Sequence, residues 1–391
     1  MLVYFLASGS LRNNLHYCHV LRLPRSRFIP DHADDAQFTA PSILVFVSKT
    51  APSADDLREK IRLNEISSAW ERRRVVVLKG DAPKKSTSVV LHAHAFAAMG
   101  TRCELRIYAP DSVSAGIAFA AALTEVERIE RKYSRYDPHS LVSEINRAGV
   151  AGNSIDLDAE TAALIDHAFA CHAKSGGLFD ITAGVLRHVW DFKSGRLPEP
   201  GAVETLLPRI GLDKLDWQLP SLSFRVPGVE IDLGGIGKEY AVDRVVHVLR
   251  EAGIENGLVD FGGDIAVIGP LPNGEPWRIG LRHPREGTSL AAEAAILEGA
   301  LATSGDYERC IEIAGKRYGH ILDPRTGWPV EGLASVTVLA ESCLLAGSVA
   351  TIAMLKGRDG AAWLGLLGLP YLSVDVDGRQ DAALPAVFEG G

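Results

Sequence analysis

Five loops of this 391-residue chain carry side chains that could do chemistry. The turn Asp232-Leu-Gly-Gly-Ile-Gly-Lys238 joins an extended run to a helical one. Its glycines let the backbone approach a ligand closely, the helix start offers free N–H groups to an anion, and Lys238 adds a positive charge in the first turn. The pattern is neither of the two common Gly-rich phosphate motifs, so a phosphate site and a plain tight turn both fit it. Phe261-Gly-Gly-Asp264 is a second close-approach turn, readable also as a bulge with a satisfied aspartate. Thr303-Ser304-Gly-Asp306 sets hydroxyls beside a carboxylate, which suits ligand hydrogen bonding or any loop. In His320-Ile-Leu-Asp323-Pro-Arg-Thr-Gly327 a histidine precedes an aspartate by three residues, as a general base oriented by a carboxylate would, or as an ordinary turn network. Gly177-Leu178-Phe179-Asp180-Ile-Thr182 brings a carboxylate and a hydroxyl to a pocket, or uses Asp180 as a helix cap. Five such loops at element ends are what an elongated ligand site on a rigid scaffold requires.

The elements that must position them follow from periodicity. Alternation predicts strands over 103–108, 230–233, 258–268 (broken by Gly262-Gly263), 277–282, 309–313 and 335–339, with a last strand over 371–376. Helices are expected over 111–133 with Ser112 as N-cap, over 158–175 closed by Gly176-Gly177, from the Gly-rich turn to about 252, and over 341–355. Helices and strands mix without a strict βαβ rhythm, which favours an α+β fold over a doubly wound parallel sheet.

Composition sets outer limits. The chain is 47% hydrophobic and 23% charged, with 41 basic and 49 acidic residues and a net charge of −8. That argues against nucleic acid as a partner. No apolar run reaches the ~18–20 residues of a membrane-spanning helix. Cys18, Cys103, Cys171, Cys310 and Cys343 are scattered and odd in number, and are expected to be free thiols in a reducing compartment. His92 and His94 share a strand face but have no third ligand nearby, too few for a metal.

Residues 1–88 read differently. They begin apolar, then turn polar and basic in an order unlike a secretory signal, so a cytoplasmic location is expected, with the periplasm open if translation starts elsewhere. A short strand over 43–47, a helix over 55–74 and a linker over 81–88 are expected. The segment is either a small extension on the main domain, 89–378, or a disordered stretch of an overlong reading frame. Residues 379–391 are expected to be a tail.

The motifs also carry a family resemblance. Ala98-Met99-Gly-Thr101, Ser134-Arg-Tyr136-Asp-Pro-His-Ser140 with Glu144 and Asn146, 177–182 with Trp190, and 231–238 with Tyr240, Ala241 and Asp243 come first. Gly262-Gly-Asp264, Thr303-Ser-Gly-Asp-Tyr307 and His320-Ile-Leu-Asp-Pro324 follow, in the order of the ApbE family, the FAD:protein FMN transferases. The resemblance spans Phe96 to Gly368. It implies an α+β fold with an FAD cleft between lobes, and Mg²⁺-dependent transfer of FMN from FAD to a Thr or Ser hydroxyl of a target flavoprotein, with release of AMP. Carried over by position, Met99, Tyr136, Leu178, Phe179, Asp180, Asp232, Lys238, Ser304 and Ile321 would bind FAD, with Tyr136 as the stacking aromatic. The Gly235 carbonyl and Thr351 hydroxyl would be metal ligands, and His320, with Asp323, would take the acceptor proton.

The chain departs from the family pattern at three places. The metal-binding helix usually reads Ala-Asp-x-x-x-Thr, and here Gly347 stands at the aspartate and Ala350 at a variant acidic position. Glu239 follows Lys238 where glycine is more usual, and Asp260 stands where asparagine is common. A magnesium site without a fixed carboxylate is expected to be weak unless the ion arrives on the pyrophosphate or Asp306 or Asp323 moves in. The same residues therefore also fit an FAD carrier that has lost transfer, or an FAD pyrophosphatase with water as acceptor.

Overall fold

The computed structural model describes residues 88–287, 289–307 and 309–390, together with the backbone of Cys18–His19 and Phe46–Val47. The chain divides into two units, Met1–Asp81 and Ala82–Gly391. In the first, β1 (Cys18–His19) pairs antiparallel with β2 (Phe46–Val47). The helix expected over 55–74 and most of the 81–88 linker lie outside the described residues.

The second unit opens with the hairpin β3 (Val90–Ala98) and β4 (Thr101–Ala109), then helices α1 (Ser112–Tyr133) and α2 (Leu141–Ala151). Strand β5 (Ser154–Asp156), helix α3 (Ala159–Ser175), strands β6 (Leu215–Gln218) and β7 (Ser221–Phe224) and helix α4 (Gly237–Glu251) follow. Next come β8 (Gly257–Phe261), β9 (Asp264–Ile268), β10 (Trp277–Arg282), β11 (Leu290–Ile296) and β12 (Gly299–Gly305). The chain continues through β13 (Cys310–Ile313), β14 (Lys316–Gly319), β15 (Leu333–Ala340), α5 (Cys343–Leu355), α6 (Gly360–Leu367), β16 (Tyr371–Asp375) and β17 (Gln380–Ala383). One eight-stranded sheet, in the order β17-β16-β15-β12-β9-β8-β4-β3, organises the unit, and every neighbouring pair is antiparallel. The mixed helix-and-sheet expectation holds.

Both faces of the central strands are covered. Helices α1, α4 and α5 lie on one face, where Val259, Ala266, Ala302, Val336 and Val338 join the main core. Their alternate neighbours Leu258, Ile265, Leu301 and Leu339 point the other way, into a second core closed by Trp277, Ile279 and Phe388. That is the period-two consequence of a pleated strand. It explains why β9 and β15 are buried along their whole length while β3 alternates.

Local chemistry sets the helix ends. Helix α1 begins one residue earlier in its capping than expected: Asp111, not Ser112, is the N-cap, and its carboxylate accepts the Ser114 N–H. Asp158 caps α3, and Gly176 closes it in the left-handed conformation. Helix α5 is capped twice, by the Ser342 hydroxyl on Leu345 N–H and by the Asp243 carboxylate on the N–H groups of Cys343 and Leu344. The helices are tied by ions: Arg128 of α1 bonds Glu125 and Glu160, Lys132 bonds Glu160, and Arg244 of α4 bonds Glu125.

Two expectations fail. Residues 230–233 form no strand, because their backbone groups bond elsewhere: Ile231 N–H donates to the Asn146 side chain, whose amide returns to Ile231 O, and Asp232 N–H donates to Ile181 O. The strand over 371–376 is not the last. Residues 379–391 supply the edge strand β17, and Phe388, 5% exposed, fills the second core. Among the described residues no helix is long and apolar enough to cross a membrane.

Candidate active site

The chemistry-bearing loops gather at one end of the sheet. The β3–β4 turn is the two residues Met99 and Gly100, both at positive φ (53° and 72°). Beside it, the β8–β9 turn is Gly262-Gly263, also at positive φ, and a Cβ on Gly262 would meet Thr101 Oγ1 at 2.2 Å. The next residue, Asp264, is 1% exposed. Its Oδ1 accepts the Thr303 N–H at 3.3 Å, and its Oδ2 lies 2.6 Å from Lys238 Nζ, so the end of β12 and the start of α4 meet on one carboxylate. One residue on, the Ser304 hydroxyl is 2.9 Å from that of Thr351 on α5.

Glu239, next to Lys238, points into the same region and is 7% exposed. Its Oε2 has no hydrogen-bond partner. Burial first, and the charge of Asp264 second, hold its carboxyl well above the usual carboxylate range. Across from it, Gly347 leaves a notch in α5: a Cβ there would lie 2.5 Å from Glu239 Cγ and 3.0 Å from its Cδ and Oε1. The Glu239 side chain fills the space that an aspartate at 347 would occupy.

The other expected residues divide between the site and the core. Tyr136 is 77% exposed, with the Arg135 guanidinium 5.0 Å from its ring centre and donating to its hydroxyl. Arg135 also pairs with Asp232, whose other oxygen accepts the Gly234 N–H at 2.9 Å. Tyr136 and Arg135 line a groove of about 390 Å³ with Asn146, Arg187 and Glu230. Leu178 and Phe179 are buried in the main core, and the Phe179 ring lies 3.6 Å from where a Cβ on Gly235 would be. Asp180 is a cap: its Oδ1 accepts the N–H and hydroxyl of Thr182. Ile321 accepts Val330 N–H through its carbonyl.

His320 and Asp323 do not act on each other through a hydrogen bond. Asp323 accepts the Arg325 N–H at 2.9 Å and the Arg325 guanidinium at 2.6 and 3.0 Å. His320 has a backbone hydrogen bond at Arg309, while its Nδ1 is buried without a partner. Burial, and then the charge of Arg309, push its pKa below the ordinary histidine value, so the ring is neutral at pH 7.

Magnesium takes oxygen ligands. The donors here are the Ser304 and Thr351 hydroxyls and the carboxyl groups of Asp264 and Glu239, and the Gly235 carbonyl lies in the turn that leads into α4. That set fits a hard divalent ion. Among the described residues no group of three or more His, Cys, Asp or Glu is arranged to hold a metal, so hydroxyl and backbone oxygens must complete it. In the sequence Glu239 reads only as a departure from the family pattern. The signal was there in paired form, a glycine where a carboxylate is usual and a carboxylate where a glycine is usual, but only the fold brings 239 and 347 together.

The model of the ApbE family matches residues 99–370. The chain belongs to the ApbE family. Similar proteins include the FAD:protein FMN transferase of Haemophilus influenzae, 32% identical over 244 residues that cover 60% of this chain and 70% of that one. The FAD:protein FMN transferase of Vibrio cholerae is 34% identical over 257 residues, 62% of this chain and 76% of its own length. Among solved structures, the ApbE protein of Thermotoga maritima superposes with a TM-score of 0.69 at 31% identity, covering 75% of this chain and 97% of that one. The flavin transferase ApbE from Vibrio cholerae gives 0.68 at 28% identity, with coverage of 75% and 97%. This ApbE-family chain is thus a transferase enzyme with the mixed helix-and-sheet fold of those structures.

Proposed function

We propose that this protein transfers FMN from FAD to a Thr or Ser hydroxyl of a target flavoprotein and releases AMP, with Mg²⁺ bound. The reading is supported by its ApbE relatives and carried by one observation: a neutral, half-buried His320 whose buried Nδ1 has no partner, near the charges of Lys238 and Asp306. Such a nitrogen can accept a hydroxyl proton as the hydroxyl oxygen bonds to the FMN phosphorus. The phosphoanhydride bond to AMP then breaks, and its electron pair leaves on the AMP phosphate. Lys238 and the positive end of the α4 dipole favour the negative phosphates. The exposed Tyr136 ring is a stacking surface in the open groove. Gly235, Ser304 and Thr351 would offer oxygens to magnesium, which when bound neutralises pyrophosphate charge. The carrier alternative rests on the missing aspartate at 347, and the Glu239 carboxyl beside that notch supports transfer over it.

The test incubates the protein with FAD, Mg²⁺ and a peptide bearing a Thr acceptor, following AMP and peptide mass. AMP release that depends on peptide, with an FMN-sized mass gain, is the expected result. AMP without modified peptide would replace transfer by hydrolysis, and FAD binding without AMP would restore the carrier.

A further inference from the structure

Glu239 is a buried carboxylate without a bonding partner at Oε2, which makes it expensive to keep unless something compensates it. Its own backbone N–H, Asp264 and Lys238 stand around it. Asp264 faces it as a second buried carboxylate, and the Lys238 ammonium lies 2.6 Å from Asp264. Two carboxyl groups thus flank one ammonium.

The other acids that could serve are committed. Asp306 is held bidentate by Arg285 at 2.7 and 2.6 Å. Asp323 is held by Arg325, Asp232 by Arg135, and Asp243 by the first N–H groups of α5. Gly347 completes the geometry. Its missing side chain admits Glu239 from α4 on the same face of α5 as Thr351, four residues further along.

We propose that Glu239 is the carboxylate that binds the divalent cation in this protein, reaching from α4 into the notch at Gly347. The proposal deepens the FMN-transfer reading, since the cation is the one that reading invokes. The longer side chain makes up for its attachment to a different helix, so the carboxylate position is kept while its origin changes. Glycine at 347 is then a requirement of the site and not a lost ligand.

The experiment titrates the full-length protein with Mn²⁺ alone, reading free Mn²⁺ by electron paramagnetic resonance, for wild type, Glu239→Gln, Glu239→Gly and the exchange Glu239→Gly with Gly347→Asp. Wild type is expected to bind. Glu239→Gln, nearly isosteric and checked for folding by metal-free thermal unfolding, is expected to lose at least about tenfold in affinity, as Glu239→Gly also should. The exchange variant is expected to regain most of that loss. Unchanged Mn²⁺ affinity in Glu239→Gln, no binding by wild type, or no recovery in the exchange variant would overturn the proposal. The two readings fail separately. A wild type that binds Mn²⁺ through Glu239 yet never forms flavinylated peptide sinks the transfer reading alone. Flavinylation with Mn²⁺ affinity indifferent to Glu239→Gln sinks this proposal alone.

Discussion

Replacing Gly347 by alanine probes how closely Glu239 and Gly347 are fitted, without any metal. The added Cβ would come within 2.5 Å of Glu239 Cγ, and the three nearest atoms all belong to Glu239 beyond its Cβ. Glu239 is buried, so it has little room to retreat, and overpacking of this kind costs about 1–3 kcal/mol. Against that, alanine in a helix interior is worth about 1 kcal/mol over glycine. In wild type, Gly347→Ala should therefore be neutral to destabilising by about 2 kcal/mol. In a Glu239→Ala background the obstruction is gone, and the same change should stabilise by about 1 kcal/mol. The coupling between the sites should be about 1–3 kcal/mol, measured as a double-mutant cycle by urea unfolding in chelator. Additivity within about 0.5 kcal/mol would refute the fitted pair and weaken the case for a metal-binding Glu239.

Further tests address other groups. Because burial holds the pKa of His320 below its ordinary value, flavin transfer should fall only as pH drops through that lowered pKa, with its acid limb below about pH 6.5; a limb above that pH would contradict the assignment. His320→Ala should slow transfer by about 10²–10⁴-fold while FAD binding, followed by fluorescence, persists. Arg128 hydrogen bonds hold the Glu125 carboxyl down at about 2. A depressed carboxyl stabilises above its unfolded value, about 4.3, and its contribution is lost as pH falls through the folded value. The Tm gap between wild type and Glu125→Gln should close across that window, and a gap unchanged at pH 2.5 would speak against the ion network. Asp180→Ala removes the cap on Thr182 and should cost about 1 kcal/mol, whereas Asp180→Asn should keep most of it; equal losses in thermal unfolding would discredit the cap.

Much of this architecture is written in local signals. Helix α3 is legible because Asp158 and Gly176 mark its ends, and the β8–β9 hairpin because Gly262-Gly263 interrupts an apolar run. Residues 230–233 look like a strand because they alternate, but their partners are an asparagine and a carbonyl far away in sequence. Strand β17 has four exposed residues and no hydrophobic pattern, so nothing local announces that it closes the sheet. Among the candidate site residues, Lys238, Ser304 and Thr351 stand out by motif, and the fold brings Lys238 to Asp264 and Ser304 to Thr351. The pairing of Asp323 with Arg325 does not stand out, since an aspartate three residues from a histidine fits a base-and-carboxylate pair equally well until geometry chooses.

Met99 has a consequence of its own. A two-residue hairpin turn with both φ angles positive suits Asn-Gly, and a methionine at its first position sits in a conformation that L side chains avoid. Its N–H is tied to Glu130 of α1 at 2.8 Å, which helps to hold the strained form. Drift toward greater stability would favour glycine there. A thioether in that turn, beside the candidate site, is thus a place where durability and activity pull in opposite directions, and where stabilised variants of this enzyme should be watched for lost turnover.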